Sequence, residues 1–171
     1  FLRENNINEV LVVTGDPPQD MGRKIYPTIS TDVIRKFKME MPEVKVYAGI
    51  DQYRTSMRAE SYSIKRKIQA GADGFFTQPF FDLRFLEIYA ELLEGKEVYW
   101  GVSPVLSDKS VNYWETKNNV VFPKNFAPTL EWNIDFAQKV LEFVTRTNSN
   151  IYFMPIRTKL ADYLSGILAK K

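Results

Sequence analysis

Apolar positions along the chain fall into two kinds of run. Five are short and rich in β-branched or aromatic residues: "EVLVVT" (Glu9 to Thr14), "VKVYAGI" (Val44 to Ile50), "GFFTQP" (Gly74 to Pro79), "VYWGVSP" (Val98 to Pro104) and "NIYFMPI" (Asn150 to Ile156). That composition predicts β-strands, and the lack of clean alternation in several predicts burial on both faces. Between them the apolar residues recur at helical spacing. Val33, Ile34 and Phe37 follow Ser30 and Thr31, both candidate caps; Met57, Ser61, Ile64 and Ile68 stop at Gly71; Leu86, Tyr89, Ala90 and Leu93 stop at Gly95. Trp132, Phe136, Val140 and Val144 predict a long helix, and Leu160, Leu164, Ile167 and Leu168 a terminal one. A β-α unit repeated five times demands a mainly parallel sheet. The opening "FLRENNINEV" reads as the end of a helix leading into a strand, and Phe1 in place of Met predicts that more chain precedes it.

Composition narrows the chemistry. The chain has 171 residues, 44% hydrophobic, enough to bury the core of a single domain spanning residues 1–171. With 23 Lys and Arg against 21 Asp and Glu, no nucleic-acid or membrane footprint is expected, and small molecules are the expected partners. There is no cysteine and no histidine. Thiolate chemistry is thereby excluded, no metal site is expected, and any acid or base must be a carboxylate, Lys or Tyr. The sequence has no signal peptide and no apolar run of membrane-spanning length, so a cytoplasmic protein is expected.

Parallel α/β architectures carry their ligands at the carboxyl ends of the strands. Asp16, Gln78 and Ser103 lie at or just past such ends. Asp16 in "TGDPPQD" equally suits a Pro-containing turn, and Gln78 could merely cap a strand end.

Read in order, "LVVTGDPP", "IKRKIQAGADGFFTQPFFD", "GVSPV" and "VVFP" resemble the methylenetetrahydrofolate reductase family, and the densest match is Ile64 to Asp82. The resemblance implies a (β/α)8 TIM barrel of which this chain supplies roughly the last five β/α units. It also implies an enzyme of one-carbon and methionine metabolism that uses FAD to pass a hydride from NADH or NADPH to 5,10-methylenetetrahydrofolate, giving 5-methyltetrahydrofolate. A flavin-free or non-enzymatic relative that binds folate or another pterin is the alternative. A homo-oligomer is compatible with either.

By the same resemblance, Asp16 would sit beside the flavin ring and the pterin, where a carboxylate disfavours added negative charge on the reduced ring and makes it a better hydride donor. Gln78 would face the pterin edge, whose adjacent donors and acceptors a primary amide can match. Glu60, Ser63, Arg66 and Lys67 correspond to FAD contacts, with a solvated helix face as the plain reading; Thr14, Gly15 and Tyr26 are weaker candidates for the same cofactor. Ser110 and Trp114 would meet folate or nicotinamide on a helix after "GVSPV", although a tryptophan there equally suits a core. Arg157 would meet substrate after the last strand. The pattern breaks at "AGIDQYRTS" (Ala48 to Ser56), where the family usually has Tyr-Pro-Glu-X-His-Pro; Tyr53 and Arg54 could replace its aromatic face and cation. The acid that helps open the methylene bridge lies on the family's first strand, with which no part of this chain aligns, so these residues alone are expected to be inactive.

Overall fold

The computed structural model describes residues 1–15, 26–156 and 158–169. Five parallel strands, β1 (Glu9–Val12), β2 (Lys45–Ile50), β3 (Gly74–Pro79), β4 (Glu97–Val102) and β5 (Asn150–Phe153), form one sheet in the order β1-β2-β3-β4-β5. Helices α1 (Ser30–Glu40), α2 (Met57–Ala70), α3 (Leu83–Leu92), α4 (Asp108–Asn118), α5 (Leu130–Thr147) and α6 (Leu160–Leu168) follow the strands in turn. Strand order never reverses, and right-handed crossovers in an unreversed order put every crossover helix on the same face. A doubly wound sheet would reverse and carry helices on both. The fold is therefore α/β with a five-stranded parallel sheet, the arrangement of a partial TIM barrel.

The helix-covered face is mainly aliphatic, with Phe75 and Trp100 among Val46, Ala48, Ile50, Val98 and Val102, and packs with Ile34, Ile64, Leu86, Val140 and Val144 in one buried cluster. The opposite face is aromatic. Phe76 and Tyr99 stack with centroids 4.3 Å apart, Tyr47 meets them edge-on at 5.3 and 5.5 Å, and Tyr152 leans on Phe76 at 5.6 Å. Gly74 is needed beneath them, because a Cβ there would fall 2.8 Å from both the Tyr47 ring and the Glu97 carbonyl oxygen. Lys45 bridges to Glu97 at 2.5 Å along the amino-terminal end of this face.

Local chemistry sets the boundaries. Side chains of Ser56, Asp82, Ser107 and Thr129 accept backbone N–H bonds at the starts of α2, α3, α4 and α5. Gly71 ends α2 with φ +104°, as expected. The α1 cap falls elsewhere than expected: Ser30 and Thr31 are already helical and Ile29 takes the cap position, its N–H reaching back to Asp32 Oδ2 at 3.5 Å. β4 ends at Val102 and β5 at Phe153, each two residues before a proline, which lacks the N–H that would continue a ladder. Gly95 has φ +74° but lies beyond the end of α3, which stops at Leu92.

Candidate functional site

β1, β2 and β3 end around a cavity of about 650 Å³ walled on one side by α2. Two walls meet there and are built differently.

The first wall is α2. Ile64 points into the core, while Glu60, Ser63, Arg66 and Lys67 line the cavity, an arrangement that helical spacing produces without distortion. Glu60 and Lys67 are only 6% and 8% exposed. Lys67 Nζ donates to the Gly49 carbonyl at 2.8 Å, tying α2 to β2, and lies 3.7 Å from Glu60 Oε1. That carboxylate oxygen has no hydrogen-bond partner. Burial pushes Glu60 above the usual carboxylate range and is only partly offset by Lys67; burial likewise pulls Lys67 down. Arg66 remains exposed at the rim.

The second wall is the end of β3. Its carbonyls are held one by one by side chains from neighbouring strands and loops. Tyr152 Oη donates to Thr77 O at 2.5 Å, Gln52 Nε2 to Gln78 O at 2.8 Å and to Pro79 O at 3.3 Å, and Tyr53 Oη to Pro79 O at 3.1 Å. Gln52 Oε1 in turn accepts the Gln78 N–H at 3.2 Å. Burial pushes the Tyr152 hydroxyl up to about 12, so it stays a donor over the working pH range. Phe76 and Gln78 line the cavity from this wall.

Thus Gln78, Glu60, Ser63, Arg66 and Lys67 share one cavity with Thr14 and Gly15, although they come from three separate stretches of chain. Asp16 and Arg157 lie outside the described residues. Tyr26 is 68% exposed and does not line the cavity. Ser110 sits in the first turn of α4, its hydroxyl 3.0 Å from that of Ser107, and Trp114 is 4% exposed in a satellite cluster with Phe81, Val105 and Val120. Neither is a wall residue of this cavity. Ser103 is structural, donating to Met154 O at 2.8 Å. Tyr53 presents its ring to Phe85 at 5.8 Å and its hydroxyl to Pro79, so its aromatic face is turned to packing; Arg54 lines the cavity and pairs with Asp51 at 3.2 Å. Gln52 and Tyr152 carried no signal in the sequence, since an isolated amide or phenol says nothing about a partner strand. No cluster of potential metal ligands occurs among the described residues, and no helix among them is long and apolar enough to cross a membrane.

The family model described as methylenetetrahydrofolate reductase matches residues 2–144. Proteins named 5,10-methylenetetrahydrofolate reductase are similar: that of Pectobacterium carotovorum subsp. carotovorum is 28% identical over 137 residues, 77% of this chain and 46% of the relative. That of Escherichia coli is 27% identical over 139 residues, 78% of this chain and 47% of the relative. That of Buchnera aphidicola is 26% identical over 129 residues, 72% of this chain and 44% of the relative. The chain thus spans about half the length of the curated relatives it matches. A family match over most of the chain, on a five-stranded parallel sheet, leads to one conclusion: this chain belongs to the methylenetetrahydrofolate reductase family.

Proposed function

We propose that the protein is a cytoplasmic flavin-dependent oxidoreductase that reduces 5,10-methylenetetrahydrofolate to 5-methyltetrahydrofolate with NADH or NADPH, and that residues 1–171 form the last five units of its (β/α)8 barrel. The observation that carries this is the convergence of Gln78 with Glu60, Ser63 and Arg66 on one cavity at the strand carboxyl ends.

The residues present fit part of an FAD molecule. Glu60 offers a buried oxygen without a hydrogen bond, suited to a ribose hydroxyl, and its high proton affinity lets it act as donor or acceptor. Ser63 lies within a turn of it and the exposed Arg66 within the next turn, suited to a pyrophosphate. When bound, the flavin supplies the hydride relay between nicotinamide and the folate methylene carbon. The chain's own part is binding and orientation. Gln78 holds the pterin edge through its amide, on a backbone fixed by Gln52 and Tyr152. Asp16, which follows the cavity-lining Gly15 in sequence, would disfavour added anionic charge on a reduced flavin bound there.

A second reading, a flavin-free pterin-binding relative, is favoured by Lys67, whose ammonium is engaged by Gly49 O rather than turned to a phosphate. The visible spectrum of the protein expressed from its full coding sequence decides between them. A flavin band that bleaches with NADH anaerobically and returns with methylenetetrahydrofolate supports the reductase. A colourless protein that takes up no added FAD overturns it in favour of the pterin binder.

A further inference from the structure

Backbone pairing between β2 and β3 ends at Ile50↔Thr77, and the β3–β4 register shifts between Phe76 and Pro79. Gln78 is therefore left between two ladders at the residue that faces the cavity. Its N–H and C=O both need partners, and one side chain supplies them. The Gln52 amide accepts from the Gln78 N–H at 3.2 Å and donates to the Gln78 carbonyl at 2.8 Å. The opposite amide orientation would set donor against donor and acceptor against acceptor, so the geometry selects one arrangement. Gln52 is 3% exposed, which keeps water from competing for these bonds.

We propose that Gln52 is a positioning residue for Gln78: its amide extends the β2–β3 ladder by one residue past the last backbone pair and sets the direction in which Gln78 presents its own amide to the pterin. Tyr53 and Tyr152 fix the flanking Pro79 and Thr77 carbonyls from either side, so the segment cannot rotate about its ends. The divergent loop Ala48 to Ser56 thereby acquires a role in substrate orientation distinct from any contact with cofactor. This inference rests on the reading of Gln78 as a pterin contact.

The test is a double-mutant cycle in the protein expressed from its full coding sequence. The affinity for 5-methyltetrahydrofolate is measured by titration calorimetry, with kcat and KM for methylenetetrahydrofolate alongside. Gln52→Leu, which keeps the bulk and removes the bonds, is expected to weaken binding roughly tenfold and to raise KM more than it lowers kcat. Gln78→Ala is expected to weaken it at least as much, and Gln52→Leu to add nothing in the Gln78→Ala background, because its effect runs through Gln78. Additive losses, or unchanged affinity in Gln52→Leu, overturn the inference. Should Gln52→Leu fail to fold, Gln52→Glu, which retains the acceptor and loses the donors, and Tyr53→Phe are put through the same cycle with the same criteria. If Gln78→Ala itself leaves folate binding unchanged, the functional reading fails and the role of Gln52 falls with it.

Discussion

The two walls of the cavity solve opposite problems. At the end of β3, each carbonyl from Thr77 to Pro79 receives a side-chain donor, so the backbone around Gln78 is held without help from a ligand. On α2, Glu60 keeps a buried oxygen with no hydrogen bond and Lys67 is occupied by backbone. A saturated wall is a preorganised one, whereas a buried carboxylate oxygen without a hydrogen bond costs free energy until something bonds it. The end of β3 is thus fixed by the protein's own side chains, while α2 keeps a buried oxygen open to a partner, which under the proposed function would be the cofactor.

The largest loss is expected at Lys67. Lys67→Met removes both the bond to Gly49 O and the only cation placed against the buried Glu60 by a described ion pair, and is expected to cost about 3 kcal/mol in chemical denaturation. A loss no larger than that of an exposed ion pair would show that the α2 wall is hydrated and not strained. Tyr152→Phe is the matching probe of the β3 wall. It leaves the Thr77 carbonyl without its phenol donor while keeping the ring against Phe76, for an expected loss of about 1.5 kcal/mol in the same measurement.

Ser56→Ala tests whether α2 is held from its end or from its side. Loss of the cap bond to the Ala59 N–H should cost about 1 kcal/mol by thermal or chemical unfolding, less than Lys67→Met. The smallest expected effect is a slope. Glu60 has a raised folded pKa, so between its ordinary value of 4.5 and that raised value the native state holds more protons than the unfolded chain, and stability falls as pH rises. Stability of Glu60→Gln relative to wild type should therefore climb with pH across that window and level off above it. A flat difference would mean that Glu60 ionises normally and that Lys67 fully compensates its burial.

Much of the frame was legible in advance. β3 runs from Gly74 to Pro79 as its composition indicates, and Gly71 ends α2 because only glycine takes φ +104° without strain. The grouping of Glu60, Ser63, Arg66 and Lys67 on one face follows from helical spacing. The burial of Glu60 and Lys67 does not follow, since polar residues at that spacing normally face solvent, as Arg66 does. It arises because α2 crosses the end of β2 closely enough for Lys67 to reach Gly49. Trp114 shows the converse: the sequence left it between a ligand face and a core, and the structure packs its ring edge-on against Phe81 at 5.3 Å. The α1 cap differs from the expected Ser30 or Thr31, both good caps by composition, because these residues lie in the first turn and Ile29 takes the cap position.

The order of elements and the parallel sheet are readable from the chain alone, because hydrophobic period and turn residues are local properties, and the family from the resemblance of strings such as Ile64 to Asp82. Which polar side chains serve the protein's own backbone and which face the cavity depends on contacts between distant parts of the chain. Gln52 and Gln78 lie far apart in sequence, and nothing near either one encodes the other. Strand register brings them within 2.8 Å, and register is fixed by the packing of the whole sheet.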